Sequence, residues 1–137
     1  MSKIVNISDA ASIAIHSMAL IASSEEQINV QQIASITGFS KNHLAKVMQR
    51  LVKHNLIRSV RGPKGGFILS CNSKKTSLLD IYELIEGNVE DLHCTTHAKN
   101  CMFSICIFNG MTKKLSDEFR DYLKRTTISM VATINGI

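Results

Sequence analysis

The chain predicts a mainly α fold with a small β-hairpin, namely a winged helix-turn-helix domain followed by a long C-terminal dimerisation helix. Three observations predict it. Two helical patterns meet across Gly38, the second of them basic on its polar face. The glycine-rich run RGPKGG stands between two short β-capable segments. An apolar stripe at intervals of three and four residues then fills the C-terminal end.

Taken in order, Ser8 or Asp9 is placed to cap a helix running to about Ser23, with Ile13, Ile15, Met18, Ala19 and Ala22 on its apolar surface. The polar SSEEQ break separates it from a short helix over Val30 to Thr37, buried through Ile33, Ala34 and Ile36. Gly38 permits a tight turn, and Ser40 caps a longer helix from Lys41 to His54. Leu44, Val47, Met48 and Leu51 give that helix a core face. Asn42, His43, Lys46, Gln49, Arg50 and Lys53 lie opposite. Leu56 to Val60 and Phe67 to Ser70 then form a hairpin, or wing, tipped by Arg61 and Lys64. Gly62, Gly65 and Gly66 are expected to let this backbone approach DNA closely. Ser77 caps LLDIYELIEG, a helix that Gly87 ends. A single long helix is expected from Met111 to Ile134, with Leu115, Phe119, Tyr122, Thr126, Met130 and Ile134 as its stripe; a partner subunit is the preferred surface for it to cover.

This order divides the chain into a DNA-binding domain at 1–90, a cysteine loop at 91–110 and a dimerisation helix at 111–137. A chain of 137 residues suffices for one compact domain with an appended interaction element. The composition, 45% hydrophobic and 20% charged, argues against wholesale disorder. The apolar run Ile13 to Ala22 is interrupted by His16 and Ser17 and falls short of the ~20 residues a membrane span needs. The opening MSKIVNISDA is unlike a cleavable signal peptide. No membrane partner and a cytoplasmic, reducing location are therefore expected, where clustered cysteines bind metal or react more often than they form disulfides.

Net charge is +5, and its distribution says more than its size. Between Gln27 and Leu79 the chain has no Asp or Glu, while Lys41, Lys46, Arg50, Lys53, Arg58, Arg61, Lys64, Lys74 and Lys75 all fall there. A continuous stretch of one sign suits a polyanion, since each neutralised phosphate releases counterions; a solvated basic face is the plainer alternative. With a helix-turn-helix and wing around it, the partner is read as double-stranded DNA. Ser40, Asn42, His43, Lys46, Gln49 and Arg50 are the candidate contacts on the second helix, and Arg61 and Lys64 those on the wing.

The segment HCTTHAKNCMFSIC carries Cys94, Cys101 and Cys106 with spacing Cys-x6-Cys-x4-Cys. Thiolates are soft ligands for zinc or an iron-sulfur cluster, and three of them leave a four-coordinate set one short. His93 and His97 lie in the same loop, and His97 with the three cysteines makes a Cys3His zinc set. Cys71, in the return strand, reads as a small packed residue. Spacing alone leaves an iron-sulfur cluster, zinc and a metal-free thiol switch open. An enzyme using Cys94 or Cys101 as nucleophile with His93 or His97 as base finds no accompanying substrate-pocket or oxyanion motif, so no enzymatic activity is expected.

In sequence order, SKNHLAKVMQRL, SVRGPKGGFIL, LLDIYELIEG, the three-cysteine loop and the final helical stretch resemble the bacterial iron-sulfur winged-helix regulators, the family that includes IscR and NsrR. The resemblance covers nearly the whole chain. It implies a homodimer that binds roughly palindromic operators and carries one cluster, [4Fe-4S] or [2Fe-2S], per subunit, with zinc as the alternative metal. IscR-like members place a histidine three positions beyond the last cysteine, where this chain has Asn109. NsrR-like members place an aspartate at the start of the first helix as a ligand to the opposite subunit's cluster, and Asp9 of NISDAAS occupies that position. The resemblance is therefore closer to the nitric-oxide-sensitive repressors. It implies Cys94, Cys101, Cys106 and Asp9 as ligands and a response to nitric oxide, redox state or iron-sulfur supply; Asp9 as a plain helix cap, and His93 and His97 as reserve ligands, stay open.

Overall fold

The computed structural model describes residues 7–88 and 101–133. In chain order the elements are α1 (Asp9–Ser23), α2 (Val30–Thr37), α3 (Lys41–Lys53), β1 (Ile57–Val60), β2 (Gly66–Leu69), α4 (Leu78–Glu86), α5 (Met111–Arg125) and α6 (Ile128–Thr133).

Local chemistry sets most of the helix starts. The Ser8 side chain accepts from the Ala11 amide, so Ser8 rather than Asp9 is the cap of α1, and Asp9 becomes its first residue. Asn29 and Gln32 form a reciprocal capping box at α2, and Ser77 and Asp80 form another at α4. Gly38 ends α2 at φ 77°, a left-handed conformation that favours glycine. Ser40 caps α3 by accepting from the His43 amide, and His54 follows as its C-terminal cap.

α1 is the central helix. It packs against α3, α4, α6 and β2, and it buries Ala11, Ile13, Ala14, Ser17, Met18 and Ile21. From α3 come Leu44, Val47, Met48 and Leu51, all buried as the spacing predicts. α2 adds Ile33 alone as a fully buried residue; Ile36, expected inside, is 62% exposed because it sits past the narrow stripe through which this short helix meets α3.

β1 and β2 pair antiparallel, with Ile57 opposite Leu69 and Val60 opposite Gly66. A third backbone segment, read from sequence only as part of the break before α2, joins this hairpin. Ile28 donates to the Phe67 carbonyl and accepts from the Phe67 amide. The contact corrects the expectation for the glycines. A Cβ on Gly66 would lie 2.7 Å from the Ile28 carbonyl carbon, and one on Gly65 would lie 2.7 Å from the Val60 oxygen. The room left at Gly65 and Gly66 is taken by the chain's own backbone, not left open for DNA.

The C-terminal end also departs from expectation. The predicted single helix breaks at Thr126 and Thr127 into α5 and α6. Thr126 adopts an extended conformation, φ −98° and ψ 117°, and its carbonyl accepts from the Leu78 amide while the Ile128 amide donates to the Thr76 carbonyl. Two consecutive β-branched residues weaken the helix here, and bonding to the segment before α4 replaces what the helix would have supplied. The break turns Ile128 into the core, at 0% exposure, and lets α6 pack on α1. Of the predicted stripe, Thr126 is buried and Phe119 half-buried, whereas Leu115, Tyr122 and Met130 are exposed; Ile134 lies outside the described residues.

Candidate nucleic-acid interface and cysteine segment

The core face of α3 fixes what its opposite side can offer. At about 100° per residue, Asn42, Lys46, Gln49 and Lys53 point away from Leu44, Val47, Met48 and Leu51, and all four are exposed. Ser40, also exposed, stands at the N-terminus of the helix, its hydroxyl engaged as the cap. His43 is half-buried on the flank. Arg50, on the same flank, has a partner that sequence gave no sign of: its Nη2 donates to the carbonyls of Leu84 and Ile85, each at 3.2 Å, in the last turn of α4.

The wing presents Arg61 and Lys64 on an exposed turn, tightened by a 2.9 Å bond from the Gly65 amide to the Gly62 carbonyl. Lys41, Lys46, Lys53, Arg58, Arg61 and Lys64 are all exposed, and none forms an ion pair among the described residues. Among the described residues nothing neutralises their charge, which suits a phosphate-binding surface. The Ile28 bridge anchors the wing beside the N-terminus of α2. Between them runs a polar depression lined by Glu26, Asn29, Gln32, Pro63 and Lys64.

Of the expected ligands, Cys94 with the reserves His93 and His97 lies outside the described residues. Cys101 and Cys106 are exposed thiols on the stretch leading into α5. The Asn109 amide donates to the Cys106 carbonyl at 2.9 Å, and Asn109 at φ 50° and Gly110 at φ 71° turn the chain into that helix. Asn is one of the few residues other than glycine that adopts this conformation readily, so Asn109 has a backbone role in place of a ligand's. Asp9 is exposed at the start of α1. Among the described residues no three His, Cys, Asp or Glu side chains converge as a metal site, so one protomer does not bring Asp9 together with Cys101 and Cys106. Cys71 is half-buried against the core. Around the two thiols Met102, Phe103, Ile105, Ile107, Phe108 and Met111 are exposed, Met102 by 88%.

A helix-turn-helix whose second helix is polar and basic outside, with a basic wing fastened to its root, defines a winged-helix DNA-binding regulator. The profile of the Rrf2 family, described as iron-dependent transcriptional regulator, matches residues 7–133. The chain belongs to this family. NsrR of Bacillus licheniformis is 33% identical over 110 residues, 77% of this chain and 75% of that protein. IscR of Pectobacterium atrosepticum is 26% identical over 106 residues, 77% of this chain and 65% of IscR. BadM of Rhodopseudomonas palustris is 45% identical over 73 residues, so the match spans 53% of this chain and about half of BadM, 47%. Among solved structures, CymR of B. subtilis, titled the global cysteine regulator, superposes with a TM-score of 0.79 at 20% identity and covers 96% of this chain and 98% of CymR. The oxidised form of Staphylococcus aureus CymR gives 0.72 at 26% identity, covering 93% and 96%. These relatives are regulators and not enzymes, and transcriptional regulation through DNA binding is the function the family assigns. No helix among the described residues is long and apolar enough to cross a membrane.

Proposed function

We propose that the chain is a cytoplasmic homodimeric repressor whose affinity for a palindromic operator is set by an iron-sulfur cluster held on Cys94, Cys101 and Cys106, with the partner subunit's Asp9 as fourth ligand. In this reading residues 1–90 read DNA, 91–110 hold the cofactor and 111–137 supply dimer contacts. The observation that carries it is the position of Cys101 and Cys106: two exposed thiols on an exposed apolar segment, in a chain whose other half is a DNA reader. Soft thiolates with one carboxylate fit an iron-sulfur cluster, and the exposure of both thiols gives it room. Ser8 takes the capping duty at α1, and Asp9 has no hydrogen bond or ion pair among the described residues, so its carboxylate is available to a second copy. The cluster would supply iron on which nitric oxide or an oxidant acts. Asn42, Lys46 and Gln49 would enter the major groove with Ser40 and His43 at its edge, while Arg61 and Lys64 would hold the adjacent backbone or groove.

A cofactor-free thiol switch is the second reading, favoured by the same exposure of Cys101 and Cys106 and by the similarity to CymR in an oxidised form. Zinc on the three cysteines and His97 is its metal-bound variant. Anaerobic purification followed by iron, sulfide and zinc assays separates the three. The cluster reading expects brown protein with iron and sulfide in equal amounts, operator binding that nitric oxide relieves, and loss of that response in Asp9→Ala. Colourless protein with stoichiometric zinc, or a metal-free protein whose DNA affinity follows thiol oxidation, would replace it. An Asp9→Ala protein with unchanged spectrum and nitric-oxide response would remove Asp9 from the ligand set.

A further inference from the structure

Arg50 lies on the reading helix, yet its guanidinium is turned toward α4. There Nη2 meets two carbonyls at once, Leu84 and Ile85 at 3.2 Å each. They belong to the last turn of a helix, where carbonyls lack intrahelical partners and the helix dipole is negative, so a cation with several N–H groups is well matched to them. The same turn is tied down a second way. The Ser8 hydroxyl, at the head of α1, donates to the Glu86 carboxylate. One turn earlier the Tyr82 ring meets Phe119 of α5 edge-on at 5.5 Å. Gly87 then ends α4 at φ 85°, and the chain continues toward the cysteine segment. The end of α4 is thus the place where α1 and α3 meet, with α5 packed one turn earlier, and among the described residues Arg50 is its hydrogen-bonded tie to the DNA-reading helix.

We propose that Arg50 is a positioning residue through which the last turn of α4 sets the seat of α3 on DNA. A change of state at the cysteines then reaches DNA by moving that turn, a clause that rests on the sensor reading above; the tie itself does not.

The test is a double-mutant cycle on DNA affinity, using as probe a duplex that the wild-type protein selects from a random-sequence library. Gly87→Ala perturbs the turn without a clash, since open space surrounds the site and the cost is the positive φ. Gly87→Ala is expected to weaken binding in the wild-type background and to have little further effect in Arg50→Gln, a coupling of about three- to tenfold. Arg50→Met keeps the apolar stem but carries no donor and is expected to behave as Arg50→Gln in the cycle; it also replaces Arg50→Gln should that variant fail to fold. Additive effects would overturn the proposal. So would a salt dependence of binding lowered by about one phosphate contact in Arg50→Gln, with the Gly87→Ala effect intact, because that is the behaviour of an ordinary phosphate contact. The sensor clause is read separately, from the ratio of affinities before and after the cysteines are oxidised or their cofactor is removed. The ratio should approach one in Arg50→Gln. If the wild type shows no such ratio, the sensor reading fails while the cycle still decides the tie.

Discussion

The reading head and the cysteine segment sit on the same small core but are held in opposite ways. In the first, α2, α3 and the wing are fixed at every joint: Asn29 and Ser40 cap the helices, Gly38 turns between them, and Ile28 pins β2. In the second, every residue from Cys101 to Gly110 is exposed, including Phe103, Ile105 and Phe108. A regulator needs that difference. A reader must hold its side chains within a fraction of an ångström, whereas under the proposed sensor role the segment carrying Cys101 and Cys106 must have a second arrangement to move to, and exposed apolar surface would supply the driving force for one.

The exposed region ends within the C-terminal half, and Ile128 marks where. If everything after α4 were loosely held, Ile128→Ala would be mild. Ile128 is fully buried where the Thr126–Thr127 break turns α6 onto α1, so the substitution is expected to cost about 2–5 kcal/mol, as for other buried Ile to Ala changes. Leu115→Ala, 39% exposed on α5, serves as control and should leave stability nearly unchanged at protein concentrations that disfavour association. Urea unfolding of both variants checks the contrast. Equal, small losses would place α6 with the loose region.

On the rigid side, the wing root is the joint to test. Gly66→Ala puts a methyl about 2.7 Å from the Ile28 backbone, which has no flexible atom to yield. A loss on the order of 1–3 kcal/mol is expected, along with weaker DNA binding through displacement of Arg61 and Lys64. Gly62→Ala is the counterpart: nothing stands within 4 Å of its added methyl, and only the positive φ of 127° opposes it. If the two glycines gave the same change in urea midpoint, the wing root would not be a packed joint.

These joints also show what a sequence makes legible. The four core residues of α3, the caps at Ser40 and Ser77 and the turn at Gly38 are local: each follows from side-chain type and a spacing of a few residues, and each is where the spacing predicts. The features that were not legible join residues far apart in the chain. Ile28 meets Phe67, Arg50 meets Leu84 and Ile85, and Thr126 meets Leu78. Nothing near Thr126 announces a break except two adjacent threonines, and the helical periodicity runs through them undisturbed. Arg50 is the sharpest case. Its residue type and position on α3 suit DNA as well as Lys46 does, and only the placement of α4 reveals its other partner. Of the candidate ligands, Asp9, Cys101 and Cys106 are legible as chemistry, but no local rule says whether a second copy of the chain would bring them together.

The smallest predicted effect concerns the helix between the two regions. Tyr82 is buried on α4, and burial, with the Glu86 carboxylate one turn away adding repulsion, raises its phenol above the usual value of 10.0. The fold therefore favours the neutral phenol. A group whose pKa is raised on folding contributes stability that is fully present below the unfolded value and is lost as pH rises through the folded one, so the loss due to Tyr82 begins near pH 10. Tyr82→Phe keeps the edge-on contact with Phe119 and removes the ionisation. Other groups titrate over the same range, lysines above all, so the quantity to measure is the wild-type minus variant difference in unfolding free energy at neutral pH and above about pH 10. That difference should fall at alkaline pH, whatever its size at neutrality. A difference that stays flat would mean that the turn of α4 carrying Tyr82 opens to solvent in the folded protein, and α4 would then belong with the loosely held region instead of standing between the two.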